Sequence, residues 1–233
     1  MIKVEHIDVY GFEAAIRGMR NPMNSWDKID SKLEYEICNS NGDCGNCVDI
    51  ENCNMLGAND LDLMQRLAKA GTEHRKYLRM ITVTMDITAP LYWWKEFDTY
   101  KVGTVANSCS TMHKIHAKEF TVDDFSYEHL LANIDDMVSF DGEYNYTSFD
   151  ILESVMIPTL NEYRQKYINT KNKKYWWQMI QLLPSSYNQK RTVMMNYETV
   201  FNIINQRSGH KLDEWREFVD VLTGLPYVKE LKS

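Results

Sequence analysis

The stretch APLYWWKEFDTYKVGTVANSCS, residues 89–110, decides the fold of this 233-residue chain. Just before it, residues 81–88 alternate apolar and polar side chains. This period of two predicts a half-buried β-strand that ends before Pro90. The strand delivers the chain to the aromatic run at Trp93 and Trp94, and the other predicted elements lie on either side of this junction.

Helical patterns dominate the rest of the chain. Helices are predicted at residues 11–20, 61–70, 127–138, 148–167, 174–183, 191–206 and 212–222. Asp60 is predicted to cap the second of these helices, and Pro158 to kink or break the fourth. A short strand is predicted within residues 1–10. The fold class is therefore α+β, with an N-terminal strand and helix region and a mainly helical C-terminal half, in a single domain of residues 1–233.

The charge and hydropathy of the chain exclude several classes of partner. The 33 acidic residues outnumber the 26 basic ones, and the net charge of -7 argues against an extended footprint on nucleic acid, so no nucleic-acid partner is predicted. No apolar run approaches the roughly 20 residues that a membrane span needs, and the first residues lack a signal-peptide pattern. We therefore expect a soluble, cytoplasmic protein with no membrane partner.

Four of the five cysteines lie in one polar segment. Their spacing is C-x5-C-x2-C-x5-C, at Cys38, Cys44, Cys47 and Cys53. In a reducing cytosol, thiolates at x2 spacing favour a tetrahedral metal site over two disulfides. We therefore predict a cysteine-rich insertion at about residues 38–53 with zinc as the candidate ligand. The alternative is a surface insertion with free thiols.

Residues 89–110 resemble the signature region of the flavin-dependent thymidylate synthases. In that family a strand ends at Ala-Pro, an aromatic-rich helix follows, and then come Arg-His-Arg, seven further residues and a Ser. Here the tripeptide is Thr99-Tyr100-Lys101, and eight residues separate Lys101 from Ser110. The resemblance implies the fold of that family, and the altered tripeptide marks a divergent member.

Two further regions are similar to the same family. The turn Gly71-Thr72-Glu73-His74 stands where the family has Gly-His-Glu-Thr before its strand. The Leu183-Pro184 pair, followed by Asn196, Asn202, Arg207 and His210, resembles the C-terminal block, in which a Leu-Pro turn precedes a long helix ending in Leu-Arg and a nearby His.

The resemblance also implies site residues. FAD would be bound by His74, Lys101, Asn196, Asn202 and His210. A pyrimidine nucleotide such as dUMP would be bound by Glu96, Thr99, Ser108, Ser110 and Arg207. Among these, Ser110 and Arg207 would be catalytic, with Arg207 polarising the uracil ring.

The reaction of the family sets the expected partners. Reduced flavin delivers a hydride and methylene-tetrahydrofolate supplies the one-carbon unit, so folate and NADPH are further candidate partners. Since the family's sites form where subunits meet, the resemblance implies a homotetramer with composite sites.

Several arginines with which the family binds phosphates are missing. Their positions hold Thr99, Lys101, Met112 and Ile180. Five nearby cations are candidates to compensate: Arg75, Lys76, Arg79, Lys190 and Arg191. Three functions stay open: an FAD-dependent pyrimidine nucleotide C5-methyltransferase, a catalytically inactive homologue that binds nucleotide or flavin, and a zinc-stabilised structural or regulatory oligomer.

Overall fold

A computed structural model of the chain describes residues 2–32, 56–140, 142 and 144–232. The predicted zinc ligands Cys38, Cys44, Cys47 and Cys53 lie outside these residues.

In the part of the chain that the structure describes, six strands form two sheets. The main sheet has four strands in the order β1-β2-β6-β3, which are β1 (Lys3–Tyr10), β2 (Thr82–Pro90), β3 (Thr104–Ser108) and β6 (Asn188–Asn196). The other two, β4 (Val138–Phe140) and β5 (Tyr144–Tyr146), form an antiparallel pair with Val138 opposite Tyr146. Strand β2 carries buried side chains at alternate positions, as its sequence predicts.

The described helices lie mainly after the signature stretch. The α-helices are α1 (Phe12–Arg20), α2 (Ala58–Lys69), α3 (Leu91–Phe97), α4 (Ile157–Thr170), α5 (Lys173–Leu182), α6 (Tyr197–Arg207), α7 (Asp213–Thr223) and α8 (Val228–Lys232). A helical turn at Ser148–Asp150 and a wider π-helical segment at Ile151–Met156 lead into α4. Short 3-10 helices occupy Asn21–Met23, Trp26–Lys28, Lys76–Arg79, Val122–Asp124 and Ile134–Asp136. No helix in the described part of the chain combines the length and apolar character that a membrane crossing requires.

The chain divides into two compact units. Unit 1 comprises Met1–Lys3, Thr88–Asp98 and Ser108–Arg191. Unit 2 comprises Val4–Ile87, Thr99–Asn107 and Thr192–Ser233. The signature stretch therefore contributes α3 to unit 1 and the segment from Thr99 to unit 2.

Aromatic rings and α4 organise the interior of unit 1. Trp93 stacks on Phe97 with ring centroids 5.1 Å apart, and the indole Nε1 of Trp94 donates to the carbonyl of Gln189 at 2.9 Å. A second cluster is built on α4 and α5 around Leu160 and Met179, which are fully buried.

A buried ion pair joins three segments of unit 2. The carboxylate of Asp60, at the start of α2, lies 2.6 Å from an Arg20 guanidinium nitrogen at the end of α1. It also accepts from the hydroxyl of Ser31 at 2.6 Å and from the backbone N–H groups of Asp30 and Ser31. Because neither charge is exposed, each depends on the other for its stabilisation.

The structure corrects the predicted cap of α2. The helix begins at Ala58, and the carboxylate of Asp60 accepts a hydrogen bond from the guanidinium of Arg20. The carboxylate that receives the free N–H groups is Asp30, which accepts from Asn59 at 2.9 Å and from Asp60 at 3.0 Å. The sequence predicts that Pro158 kinks or breaks its helix, and the regular α-helix does change there: Pro158 lies in the first turn of α4, directly after the π-helical segment Ile151–Met156.

Two predicted helices are wrong. Residues 127–138 contain only the 3-10 turn Ile134–Asp136 and the first residue of β4. The predicted helix at 191–206 begins at Tyr197 instead, because β6 runs through Asn196 with Val193 and Met195 buried on one side. The other five predicted helices and the strand before Pro90 are confirmed within a few residues.

Candidate functional site

Unit 2 gathers a cation and three rings into one cluster, which we call the Trp215 cluster: Tyr100, Gln206, Arg207, His210 and Trp215. The Nε–H of Arg207 donates to the hydroxyl of Tyr100 at 2.9 Å. The hydroxyl of Tyr100 donates in turn to the side-chain carbonyl of Gln206 at 3.0 Å. The guanidinium of Arg207 lies 4.6 Å from the centre of the Trp215 ring, so it is held by a hydrogen bond and a cation–π contact together.

The turn after Tyr100 explains how this residue reaches Arg207. Gly103, in a left-handed conformation with φ of 73°, accepts at its carbonyl from the backbone N–H of Asn196 at 3.1 Å. The carbonyl of Val102 accepts from the hydroxyl of Thr199 at 2.9 Å. The turn is thus fastened to the N-terminus of α6, and Tyr100 meets Arg207 at the C-terminal end of the same helix.

His210 follows α6 and belongs to the same cluster. Its ring lies 6.1 Å from that of Trp215, and its backbone N–H donates to the carbonyl of Arg207 at 3.0 Å. Its Nδ1 accepts from the backbone N–H of Leu212 at 3.2 Å. In the neutral ring the proton therefore resides on Nε2, which can act as a donor.

The remaining residues predicted to bind the flavin have different environments. The side-chain oxygen of Asn196 caps α6 by accepting from Thr199 N–H at 3.0 Å, so this atom is occupied. Asn202 is half-buried and its side chain forms no hydrogen bond with any residue that the structure describes. It lies five residues before Arg207, about 140° around the helix. His74 and Lys101 are exposed, as is Thr99 of the substrate set.

Unit 1 holds the other predicted substrate residues. Glu96 is half-buried on α3, and Ser108 is exposed at the end of β3. The hydroxyl of Ser110 accepts from the backbone N–H of His113 at 2.8 Å, a local turn contact. Between the two serines, the backbone of Cys109 donates to Lys190 and accepts from the side chain of Gln189. The loop is therefore fastened along β6.

Two of the candidate compensating arginines are already engaged. Arg75 donates twice to the same carboxylate oxygen of Glu198, at 2.8 and 3.1 Å. In unit 1, Arg191 pairs with Asp98 at 2.7 Å and lies 4.1 Å from the centre of a Trp94 ring. Arg79 and Lys101, by contrast, form no ion pair with a described residue, so these two cations of unit 2 are available to an anion.

Two of the replaced arginine positions hold apolar side chains. Ile180 packs against the apolar cluster of unit 1. Met112 is exposed, and its carbonyl accepts from the indole N–H of Trp176 at 2.9 Å. Neither side chain can bind a phosphate.

The donor set of unit 2 fits a pyrimidine and a flavin ring better than a diphosphate. Arg207 and the Nε2 of His210 are donors suited to ring carbonyls, and Asn202 offers an amide with both donor and acceptor atoms. Arg207 is the one arginine of the cluster, so the cluster offers a single guanidinium that could bind phosphate oxygens bidentately. Within the described residues, no group of three or more side chains is arranged to hold a metal ion.

Tyr100 and Trp215 were not among the predicted site residues. The available signal for Tyr100 was its position, which is that of the histidine in the family's Arg-His-Arg signature. Trp215 had no such signal, because only the folded chain shows Arg207 lying over its ring.

Comparisons with known proteins identify the fold. No family model matches the chain, and no curated protein sequence matches it significantly. Among solved structures, thymidylate synthase X from Helicobacter pylori with FAD and dUMP aligns at a TM-score of 0.63 and 16% identity, over 100% of both chains. A second structure of that flavin-dependent enzyme, also complexed with FAD and dUMP, aligns at a TM-score of 0.61 and 15% identity, over 99% of this chain and 97% of the other.

A related methylase has the same architecture. The UMP/dUMP methylase PolB from Streptomyces cacaoi, bound with 5-Br dUMP, aligns at a TM-score of 0.58 and 12% identity, over 99% of this chain and 93% of the other. These likenesses span essentially the whole chain, so the predicted α+β fold is confirmed: this protein has the fold of the flavin-dependent thymidylate synthases.

Proposed function

We propose that this protein is a divergent flavin-dependent thymidylate synthase-like enzyme that binds a pyrimidine nucleotide such as dUMP, with FAD as its cofactor. Three structures that share its fold carry uracil nucleotides, and two of them also carry FAD. The proposed reaction is transfer of a one-carbon unit to C5 of the pyrimidine, with a folate as donor and NADPH as the candidate reductant.

The observation that carries this proposal is the fixed orientation of Arg207. A guanidinium that is hydrogen-bonded by Tyr100 and stacked over Trp215 needs no reorganisation when negative charge develops on a nearby carbonyl oxygen. An arginine that only complemented the C-terminus of α6 would have no need of a buried tryptophan beneath it. The cluster is therefore suited to polarising a uracil ring.

The protein's own residues would bind and orient the reactants. Bound flavin would supply the hydride, which is the cofactor's own chemistry. His210 and Asn202 would hold the flavin through ring hydrogen bonds, and Lys101 with Arg79 would contact phosphate oxygens. Since no protein nucleophile is needed, Ser110 would act as a hydrogen-bonding group toward the nucleotide, together with Glu96, Thr99 and Ser108.

Nucleotide binding and the visible spectrum test the proposal. We expect purified protein to contain bound FAD, which absorbs at about 450 nm. We also expect calorimetry to detect binding of dUMP. Under anaerobic conditions with dUMP and methylene-tetrahydrofolate, Arg207→Ala should abolish pyrimidine-dependent oxidation of reduced flavin, because the oriented cation is lost. Arg66→Ala, which removes an exposed arginine of α2 paired with Asp62, should leave both properties unchanged. Absence of both flavin and dUMP binding would contradict the proposal.

A second candidate is a homologue that binds nucleotide or flavin without turnover. The loss of arginines at Thr99, Met112 and Ile180 favours it, since each uncompensated phosphate contact is worth about 1.5–3 kcal/mol. dUMP binding with no flavin oxidation, in the presence of a folate donor, would select this alternative.

A third candidate is an oligomer stabilised by zinc at Cys38, Cys44, Cys47 and Cys53. Elemental analysis of protein purified without chelators should then find about one zinc per chain. Replacing Cys44 and Cys47 together with Ser should release the metal, whereas Cys109→Ser, at the exposed cysteine of unit 1, should retain it. Metal-free wild-type protein would contradict the zinc prediction.

A further inference from the structure

The basic residues of this acidic chain are unevenly distributed. Residues 163–197 contain seven lysines and arginines and not one aspartate or glutamate. Because the whole chain carries -7, the remaining residues carry a net charge of -14. The acid-free stretch includes most of α4, all of α5 and β6, and the first residue of α6.

Four exposed lysines of unit 1 form what we call the basic surface: Lys114, Lys171, Lys173 and Lys174. None of them forms an ion pair with a residue that the structure describes. Three lie where α4 ends and α5 begins, and the fourth precedes His116. Burial lowers the pKa of His116, and the positive charges of Lys171 and Lys114 lower it further. Both lysines therefore lie near His116, although they belong to different segments.

Aromatic rings lie between these lysines. The ammonium of Lys173 is 5.8 Å from the ring centre of Trp176 and 5.6 Å from that of Trp177. Lys174 is 4.7 Å from the ring of Tyr175. On the other side, Lys171 lies 5.9 Å from the ring of Tyr167, which also packs against His116 at 4.9 Å.

The two tryptophans differ in how they are held. Trp176 is fixed by its hydrogen bond to the carbonyl of Met112, which joins α5 to the segment before Lys114. Trp177 is 42% exposed, although its side chain is one of the most costly to leave in water. A partner with a flat apolar face would remove that cost.

We propose that the basic surface binds a few nucleotides of a single-stranded nucleic acid, with one base stacked on Trp177 and the phosphates bound by the lysines. Lysines without an ion pair and an exposed aromatic ring beside them are the two elements by which proteins hold single strands without reading their sequence. A carboxylate-rich peptide would match the lysines but would leave Trp177 without a stacking partner. The net charge of -14 on the remaining residues limits the footprint to this surface, and the proposal departs from the prediction of no nucleic-acid partner only there.

The basic surface shares no side chain with the Trp215 cluster or with the proposed nucleotide residues Glu96, Thr99, Ser108 and Ser110, so variants of one site keep every residue of the other. Loss of one activity would therefore leave the other measurable.

Fluorescence anisotropy with the full chain tests the proposal. The probes are fluorescein-labelled oligouridylate and oligothymidylate of about 12 nucleotides, a length matched to known single-strand sites. We expect binding whose logarithmic salt dependence has a slope of about -3, as four phosphate contacts would produce. Comparison of the two probes distinguishes RNA from DNA as the preferred strand.

Three variants separate charge, stacking and folding effects. The double variant Lys173→Glu, Lys174→Glu should weaken binding by at least tenfold. The helix should remain folded, because acidic residues in the first turn of α5 stabilise it. Trp177→Ala should weaken binding by about fivefold or more with an unchanged salt slope. The matched control, Lys69→Glu with Lys229→Glu in unit 2, makes the same change in net charge and should stay within twofold of wild type.

Four results would overturn the proposal. The first is no binding of either probe at low salt, and the second is an equal loss of binding in the control pair. The third is equally tight binding of polyglutamate, which would make this a general anion surface. The fourth is salt-sensitive self-association that the Lys173→Glu, Lys174→Glu variant abolishes while oligonucleotide binding is absent, because a second copy of this acidic chain would then be the occupant.

Discussion

Tyr100 is the residue on which the orientation of Arg207 depends. Its hydroxyl accepts from Arg207 and donates to Gln206, so both of its hydrogen-bonding functions are used. Tyr100→Phe keeps the ring beside Trp215 and removes only the hydroxyl. Because a hydrogen bond to a charged group is worth about 1.5–3 kcal/mol, we expect dUMP affinity to fall roughly tenfold or more in calorimetry.

The histidine of the family signature provides the matched comparison. Tyr100→His offers a ring nitrogen in place of the hydroxyl and should recover part of the affinity that Tyr100→Phe loses. Thermal melting of the two variants should be lowered by no more than the lost hydrogen bond accounts for, since Tyr100 is only half-buried. Equal dUMP affinity in wild type and Tyr100→Phe would mean that Trp215 alone orients Arg207.

Among elements, the start of α2 depends on the buried pair of Asp60 and Arg20. Asp60→Asn leaves the Arg20 guanidinium buried without its counter-charge, which costs about 3–5 kcal/mol. We expect the free energy of unfolding, measured in urea at neutral pH, to fall by that amount. Asp62→Asn, two residues along the same helix, breaks an exposed pair with Arg66 and should cost less than about 1 kcal/mol.

The same pair predicts a pH dependence. Burial raises the pKa of Asp60, but hydrogen bonds from Ser31, Arg20 and the backbone outweigh it and hold the pKa below 3.8. A lowered pKa in the folded state adds stability above that value, and the stability is lost as the pH falls through the folded-state pKa. Between neutral pH and about pH 3, wild type should therefore lose more stability than Asp60→Asn. Parallel losses would exclude Asp60 as the titrating group.

The N-terminus of α6 depends on a glycine in the neighbouring turn. A Cβ at Gly103 would overlap the side-chain amide of Asn196, and the φ of 73° disfavours other residues. We expect Gly103→Ala to destabilise the protein by about 1–3 kcal/mol and Asn196→Ala by about 1 kcal/mol. The double variant should cost less than the sum of the two in chemical unfolding, because removing the amide relieves the overlap. Strict additivity would show that only the backbone conformation matters.

Local sequence pattern predicts the elements whose own side chains show a clear apolar face, and it fails where tertiary contacts decide the structure. Strand β2 shows its alternation directly, and α7 shows a clear apolar face. Residues 130–138 place Leu131, Ile134 and Val138 at helical spacing, yet all three are exposed, so no core supports a helix there. In β6, Val193 and Met195 stand directly before the apolar residues of α6, so the sequence pattern alone extends the helix back through the strand.

The candidate site was predictable only in part. Arg207 and His210 came from the family resemblance and do lie in one cluster around Trp215. The pairing of Arg75 with Glu198 is a long-range contact that no spacing rule encodes. The cap at Asn196 is a local contact with Thr199, three residues on, and it is missed because the predicted helix begins at residue 191. Compensation for missing arginines is therefore a property of the folded chain.

At the scale of the whole molecule, the family resemblance predicts a homotetramer, and the exposed apolar side chains of unit 1 indicate where subunits would meet. Ile134 is 75% exposed, and Leu131 and Val138 lie near it in sequence with about half of each side chain exposed. Large exposed apolar surfaces are unusual in monomers and typical of interfaces, so we predict that these side chains belong to one.

Light scattering should therefore give a mass of about 110 kDa, four times the 27.4 kDa of one chain. Ile134→Glu should lower that mass by placing an unpaired carboxylate in an apolar contact, which costs several kcal/mol. Met23→Glu, at an exposed apolar residue of unit 2, should leave the mass unchanged. A 27.4 kDa wild-type species at micromolar concentration would contradict the assembly. It would also require each chain to bind nucleotide and flavin with its own residues alone.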